Sequence, residues 1–599
     1  MRFVNCSGPD DEDQMRNTKP AIVAILAMLL ASCSSQKSKV DLVLTDGEFQ
    51  TMDPNFPLAE AVAVDKGMIV GVGSCEGVSS RFKGKVTIDL RRACVLPGLI
   101  DGHGHMLQLG MSLQTIDLSG TRSPQQVADR VEEAAARTNP GTWIRGSGWN
   151  AGAWRTNISG VAGMLDRAAP NNLVFLAGAD GQSIWVNGKV LRLAGITRGT
   201  KAPEGGRILV DSKGNPTGIL EGSAIGLVTR QIPPPSENEI EDAIVLASDT
   251  CARYGITEVQ DVGIDKRTLN AYRSLADKGK LRIRIYAMYD GDDSTLPGIL
   301  KSGRIVDYKD RFTMRSVRID MDGGLGPREA AMVREYSDAP GQYGATLFGE
   351  KDLENLTIAS VSSGFQVCTE AHGDRAVHVV LDAYEEALKA ADVADPRLRI
   401  EAAEVMMGDD IPRFKMLNVI PSMQPVQCLS DMYWIESRLG PDRVKRAFPW
   451  RSLLDGGDMI VGGSGFPGQS PDPRLGIYAA VTRRDVNGLP RSFSDAEKYF
   501  ELTPDAAKDS SDYDGGFFAD QRMTLANAIK AFTVWPAYGA FQEKEKGKIM
   551  TGMVADFTIL QNDLNKIPAE RIPDDHILAT IVGGRLVYVS QVAGNWSAR

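Results

Sequence analysis

The chain has 599 residues, too many for a small binding module and enough for one large barrel-type domain with an accessory domain. Its 43% hydrophobic and 24% charged residues are ordinary for a packed enzyme and exclude a mostly disordered chain. With 67 Lys+Arg against 77 Asp+Glu, the formal charge of -10 repels polyanions, so no nucleic-acid partner is expected.

Residues 1–38 read as an address rather than a fold. Ala21 to Ala31 is an unbroken apolar run behind Arg16 and Lys19, the layout of a secretory signal. It is shorter than the roughly 20 apolar residues a spanning helix needs. The run ends in Leu30-Ala31-Ser32-Cys33, which resembles a bacterial lipobox. That resemblance implies cleavage before Cys33, a lipid on its thiol, and a tether over Ser34, Ser35, Gln36, Lys37 and Ser38. The expected location is therefore exported and membrane-anchored through Cys33, on the periplasmic or outer-membrane side. Asp10, Asp11, Glu12 and Asp13 suit the positive end of a signal badly, which makes Met15 a second candidate start. The seven cysteines, Cys6, Cys33, Cys75, Cys94, Cys251, Cys368 and Cys428, show no zinc-like spacing. The last five read as buried free thiols.

From Val40 to Val72 short alternating stretches broken at Asp46-Gly47 and Lys66-Gly67 predict a small antiparallel sheet. Ala555 to Leu560 and Ala579 to Tyr588, with its Gly583-Gly584 turn, have the same character. Residues 39–94 and 541–599 are thus expected to form the two parts of one discontinuous β-sandwich. Between them, over 95–540, eight buried-type strands alternate with amphipathic helices, which predicts an α/β fold with a (β/α)₈ TIM-like barrel. The strands centre on Val95–Ile100, Ile256–Asp261, Ile283–Met288, Val317–Met321, Phe365–Glu370, Leu398–Ala402, Val419–Ser422 and Met459–Ser464. Ser236-Glu237-Asn238-Glu239 predicts a capping box ahead of a helix with Ile240, Ile244, Ala247 and Cys251 on one face, closed by Gly255. A second helix is expected from Asp374, with Val377, Leu381, Tyr384 and Leu388 on one face and His378 beside it. The insertion over 106–254 carries Trp143, Trp149, Trp154 and Trp185 and is large enough for a lid. Pro490 to Asp520 reads as an acidic surface excursion.

In a barrel the chemistry lies at the carboxyl ends of the strands. There, Leu96-Pro97-Gly98-Leu99-Ile100-Asp101-Gly102-His103-Gly104-His105 sets two of the chain's five histidines at alternate positions, where both can face one metal ion. The lone His372 follows another strand end; it and His576 read as an ordinary loop histidine and a structural one.

With this motif, Trp143-Ile144-Arg145-Gly146-Ser147-Gly148-Trp149, Gly373-Asp374-Arg375-Ala376, Arg399-Ile400-Glu401 and Ala555-Asp556, the chain from about Val40 onward resembles the amidohydrolase superfamily, in its N-substituted formamide deformylase-like (YtcJ-like) branch. The resemblance implies a metal-dependent hydrolase of non-peptide C–N bonds on a barrel with a composite β-sandwich. It also exposes departures at functional positions. The family's carboxylatable lysine corresponds to Arg318, which cannot form a carbamate, so no binuclear lysine-carbamate centre is expected. A ligand histidine corresponds to Glu370, another to Ala402, the metal-binding base to Gly465, and a substrate-facing histidine to Gln182. The remaining expected metal set is His103, His105 and Glu370, holding one divalent ion, zinc first, with Asp322 or His372 as helpers. Trp149, Gln182 and Trp185 are the expected substrate contacts. Two functions stand open: hydrolysis of an amide or formamide by an altered mononuclear site, and an inactive family member that binds a small molecule or a protein through the old pocket.

Overall fold

The computed structural model describes residues 37–150, 154, 161, 163–503 and 510–594. The signal-like segment and Cys33 lie outside the described residues. No helix among the described residues is long and apolar enough to cross a membrane.

Eight parallel strands form the central sheet, in chain order: Leu99–Gly104, Ile256–Ile264, Arg284–Asp290, Phe312–Asp320, Gln366–Ala371, Arg399–Ala402, Ile420–Met423 and Val461–Gly462. The first and last strands meet through loop hydrogen bonds: Gly465 N–H donates to the His103 carbonyl at 2.8 Å, and His105 N–H to that of Phe466 at 3.0 Å. The first expected strand is divided in two. Cys94–Pro97 pairs in a different sheet, with Glu48–Gln50 and Phe557–Leu560, and only Leu99–Gly104 enters the barrel. Gly98 makes the crossing where the chain presses on its neighbour: a Cβ there would lie 2.2 Å from the Thr257 hydroxyl.

That second sheet runs Arg585–Val589, Ile577–Val582, Phe557–Leu560, Cys94–Pro97, Glu48–Gln50, Leu58–Ala59, so it mixes strands from both ends of the chain. It faces a four-stranded sheet of Ser38–Thr45, Ala61–Asp65, Met68–Gly73 and Phe82–Asp89 across one apolar core that includes Leu44, Val62, Val95, Phe557 and Ile581. The sandwich is fastened to the barrel by a buried fork: Arg284 Nε and Nη2 donate to Asp556 at 2.7 and 3.1 Å.

Helix Glu237–Arg253 has the expected capping box, with the Ser236 and Glu239 side chains each bonded to the other's backbone N–H. It buries Ile240, Ile244, Ala247 and Cys251. Helix Asp374–Ala390 buries Val377, Leu381 and Tyr384, and leaves His378 half-buried against Asp410 at 3.0 Å. All five cysteines of the described residues are free; Cys94, Cys251, Cys368 and Cys428 are buried and Cys75 is partly exposed.

The insertion carries its own six-stranded sheet. The 490–520 segment is more than a surface excursion. Phe500, Tyr513, Phe517 and Phe518 are buried in mutual ring contact, and Tyr513 hydrogen-bonds the buried Glu436. Its acidic residues hid an aromatic set spaced too irregularly to read as an element.

Candidate functional site

Register decides what meets at the centre of the barrel. On parallel strands alternate residues share a face, and paired residues lie at one level. Arg318, Cys368 and Arg399 are register partners, and so, two residues further along, are Asp320, Glu370 and Glu401. A layer holding two guanidiniums therefore lies beside a layer of three carboxylates.

Each carboxylate takes an internal cation. Arg399 Nε lies 2.7 Å from Glu401, both wholly buried. Arg399 also donates to Gln260, to the Gly102 carbonyl at 2.9 Å and to the Ser422 hydroxyl at 2.9 Å. Arg318 donates to a single oxygen of Glu370 from Nε at 3.2 Å and Nη2 at 2.7 Å, and pairs with Asp320. Burial works against the ionised Glu370, but the hydrogen bond from His372 and the Arg318 charge prevail, holding it well below the usual carboxylate range. For Asp320 burial prevails over Arg318 and lifts the carboxyl to about 6.

The two alternate histidines are brought together, rings edge to face with centroids 5.5 Å apart. His103 Nδ1 lies 2.9 Å from Glu401 and His105 Nδ1 lies 2.9 Å from the Val262 carbonyl. These bonds fix both rings and leave each Nε2 as the remaining nitrogen. Burial, with the charge of His103, lowers the His105 pKa to about 4, so its ring is neutral at ordinary pH. Beneath them Asp101 accepts from His103 N–H at 3.0 Å and from the Ser464 hydroxyl at 2.6 Å, which ties the first strand to the last.

The His372 ring stands between two acids, 3.3 Å from Glu370 and 3.1 Å from Glu404, and its backbone N–H donates to Asp322 at 2.9 Å. Burial opposes its charged form, but Glu404 and Glu370 outweigh it, so the imidazolium is favoured. It belongs to the site and is not an ordinary loop residue. After the sixth strand Ala402 (φ 63°) and Ala403 (φ 47°) take left-handed backbone, a conformation costly for residues with a Cβ. This turn delivers Glu404 to His372. Glu404 and Asp320 were missed in the sequence, as were the roles of Asp101 and Glu401; a period-two reading beyond Arg318 would have picked out Asp320.

The other expected residues fall elsewhere. Trp149 and Trp185 are 2% and 1% exposed, packed with Trp154 inside the insertion's own core, and the Trp149 indole N–H donates to the Leu176 carbonyl. They are core residues, because a large aromatic in a six-stranded sheet gains more by covering its neighbours than by facing solvent. Gln182 sits exposed on the turn after Asp180. Gly465, with φ 73°, contributes only backbone to the barrel seam. His576 lies on the sandwich side, where its carbonyl accepts from Gln561 N–H.

A resident metal ion does not fit this donor set. His103 and His105 offer two nitrogens, but Glu370, the expected third donor, is held by a guanidinium and an imidazole. No group of three His, Cys, Asp or Glu side chains among the described residues is arranged to hold a metal.

Residues 86–588 match the model of the amidohydrolase family. The chain is 30% identical over 552 residues to YtcJ of Bacillus subtilis (strain 168), covering 90% of this chain and 98% of that protein. It is 29% identical to Protein LONG AFTER FAR-RED 3 of Arabidopsis thaliana, over 92% of this chain and 91% of that one. To N-substituted formamide deformylase of Arthrobacter pascens it is 25% identical, over 92% and 98%. A crystal structure of an uncharacterized metal-dependent hydrolase from Pyrococcus horikoshii OT3 superposes with a TM-score of 0.70 at 23% identity, covering 88% of this chain and 99% of that one, a likeness of fold. With its eight-stranded barrel, its composite sandwich and this match over most of its length, the chain belongs to the amidohydrolase family.

Proposed function

We propose that this amidohydrolase-family chain is a ligand-binding member that does not run metal-activated hydrolysis. The observation that carries the reading is the Arg318–Glu370 pair, in which a fixed guanidinium satisfies the carboxylate that would complete a metal site. Hydroxide generation at neutral pH needs a bound divalent ion and a nearby group to take the proton. Here the carboxylates already have internal cations, and Ala402 and Gly465 offer no side-chain donor. The charged residues at the strand ends support a small polar molecule as the ligand, bound where barrels take their ligands.

A second reading keeps the enzyme: a mononuclear site, with zinc first, that hydrolyses an amide or formamide C–N bond. It is favoured by one observation, the two imidazoles anchored through Nδ1 with no described residue hydrogen-bonded to either Nε2. The two readings separate in a turnover assay. The purified chain, supplied with zinc, manganese or iron and a panel of formamides and small amides, is expected to show no hydrolysis above a His103→Ala control. Metal-dependent turnover abolished in that control establishes the hydrolase instead.

Export and lipid anchoring at Cys33 are part of the same proposal, supported by the Ala21–Ala31 run and the lipobox-like tetrapeptide. Fatty-acid labelling of the chain that disappears in Cys33→Ser is the expected result; labelling that persists rules that anchor out.

A further inference from the structure

We infer that the cleft between the barrel and the sandwich is a binding site for a small phosphate ester, whose phosphate is taken by Arg311 with Arg585 and Lys66 beside it. The cleft lies at the amino ends of the barrel strands, where Arg284 opens one strand and Arg311 precedes another, so it is separate from His103 and His105 and independent of what the strand-end centre does.

The cleft encloses about 810 Å³, walled by Lys66 and Arg585 from the two sandwich sheets and by Lys309 and Arg311 from the barrel. Two guanidiniums converge in it: Arg284 Nη1 and Arg311 Nη1 both donate to the Asp310 carbonyl, the second at 2.8 Å. Arg284 has the Asp556 carboxylate as its counter-charge. Arg311 has only carbonyl oxygens, that of Asp310 and, at 3.4 Å, that of Val582. Two adjacent cations therefore share one carboxylate, and among the described residues none forms an ion pair with Arg311, Arg585 or Lys66. A half-buried guanidinium without a counter-charge is a ready partner for an oxyanion, because its fork matches two phosphate oxygens at once.

The backbone is bent to build this arrangement. Asp307, Lys309 and Asp310 have φ of 50°, 57° and 56°, left-handed conformations costly for residues with a Cβ, and the turn they make aims one carbonyl at both arginines. Opposite, Gly583 has φ 58°, and a Cβ there would lie 3.5 Å from Arg311 Nη1 and Nη2 and 3.6 Å from Arg284 Nη2. A side chain at 583 would stand against both guanidiniums; glycine leaves their faces open to the cleft. A Cβ on Gly67 would come 3.1 Å from the Gly583 carbonyl oxygen, so two sandwich turns meet here and bring Lys66 beside Arg585. The acids of the cleft set the rest of the ligand. Asp41 is already held by Lys85 at 2.6 Å and by Lys66 N–H at 2.8 Å. Asp307, Asp310 and Glu545 offer acceptors to hydroxyl groups, which suits an ester of a polyol better than the bare ion.

The test is isothermal titration calorimetry of the full-length chain with glycerol 3-phosphate in chloride at fixed ionic strength, for wild type, Arg311→Ala, Arg585→Ala and, as a charge control on the insertion, Arg137→Ala. Saturable binding is expected in wild type and in Arg137→Ala, weaker by about tenfold or more in the other two, the loss of one charge-assisted hydrogen bond. Dihexanoyl phosphatidylglycerol below its micelle concentration presents the same chemistry as a lipid headgroup. Binding tighter than that of glycerol 3-phosphate, and lost in Arg311→Ala, identifies a headgroup site; equal or weaker binding identifies a soluble ester. Circular dichroism checks the fold, and if Arg311→Ala does not fold, Arg585→Glu, a change at an exposed position, carries the same expectation. Wild type that binds neither probe overturns the inference, as does wild-type affinity in folded Arg311→Ala or, in its place, Arg585→Glu.

Discussion

Asp261 shows how the site's immediate support is set by single residues. Its carboxylate accepts from Met106 N–H at 2.8 Å and from the Tyr272 hydroxyl at 2.5 Å, fully enclosed behind the histidines. Burial raises its pKa to about 6, against the lowering effect of those two bonds. The folded chain therefore binds this proton more tightly than the unfolded one. Its contribution to stability is whole below the ordinary carboxylate pKa and is lost as the pH rises through about 6. Asparagine keeps the acceptor for Met106 and offers an amide donor to Tyr272 without a charge. Asp261→Asn is predicted to gain on wild type by up to about 3 kcal/mol between pH 4 and pH 8, read from urea denaturation at each pH. A difference between the two proteins that does not change with pH contradicts the assignment.

Elements assembled from distant parts of the chain depend on few polar ties. The Arg284–Asp556 fork joins the third barrel strand to the composite sandwich across 272 positions of sequence, with both side chains under 10% exposed. Asp556→Ala strands a buried guanidinium, and a loss of about 3–5 kcal/mol is expected in chemical denaturation. Arg284→Met/Asp556→Ala should recover much of it, and a single variant within about 1 kcal/mol of wild type would show that the fork is not a fastening. The strands at this scale were readable, because buried parallel strands appear as short apolar runs between helical periods. The split at Gly98 was not: Val95-Leu96-Pro97 and Leu99-Ile100 are equally apolar, and hydropathy does not say which sheet a run joins. Trp149 and Trp185 misled for a related reason, since aromatic character suits a ligand wall and a sheet core alike. His103 and His105 stood out through their spacing. The Arg318–Glu370 contact, 52 positions apart in sequence, needed the register of two neighbouring strands.

Over the whole molecule, the scaffold and the centre point in different directions. The first and last barrel strands meet through loop hydrogen bonds, both ends of the chain build one sandwich, and the match to the family model runs over residues 86–588. At the strand ends the charged side chains pair with one another instead of standing open. Arg399 with Glu401 and Arg318 with Glu370 and Asp320 place the cations inside the protein. Removing one partner of such a buried pair costs more than the pair contributes to stability. The most direct measurement is metal content by elemental analysis of the wild-type chain purified without chelators, beside a His103→Ala/His105→Ala control. Equal background levels of zinc, manganese and iron in the two proteins are predicted. About one divalent ion per wild-type chain, absent from the control, would contradict the account.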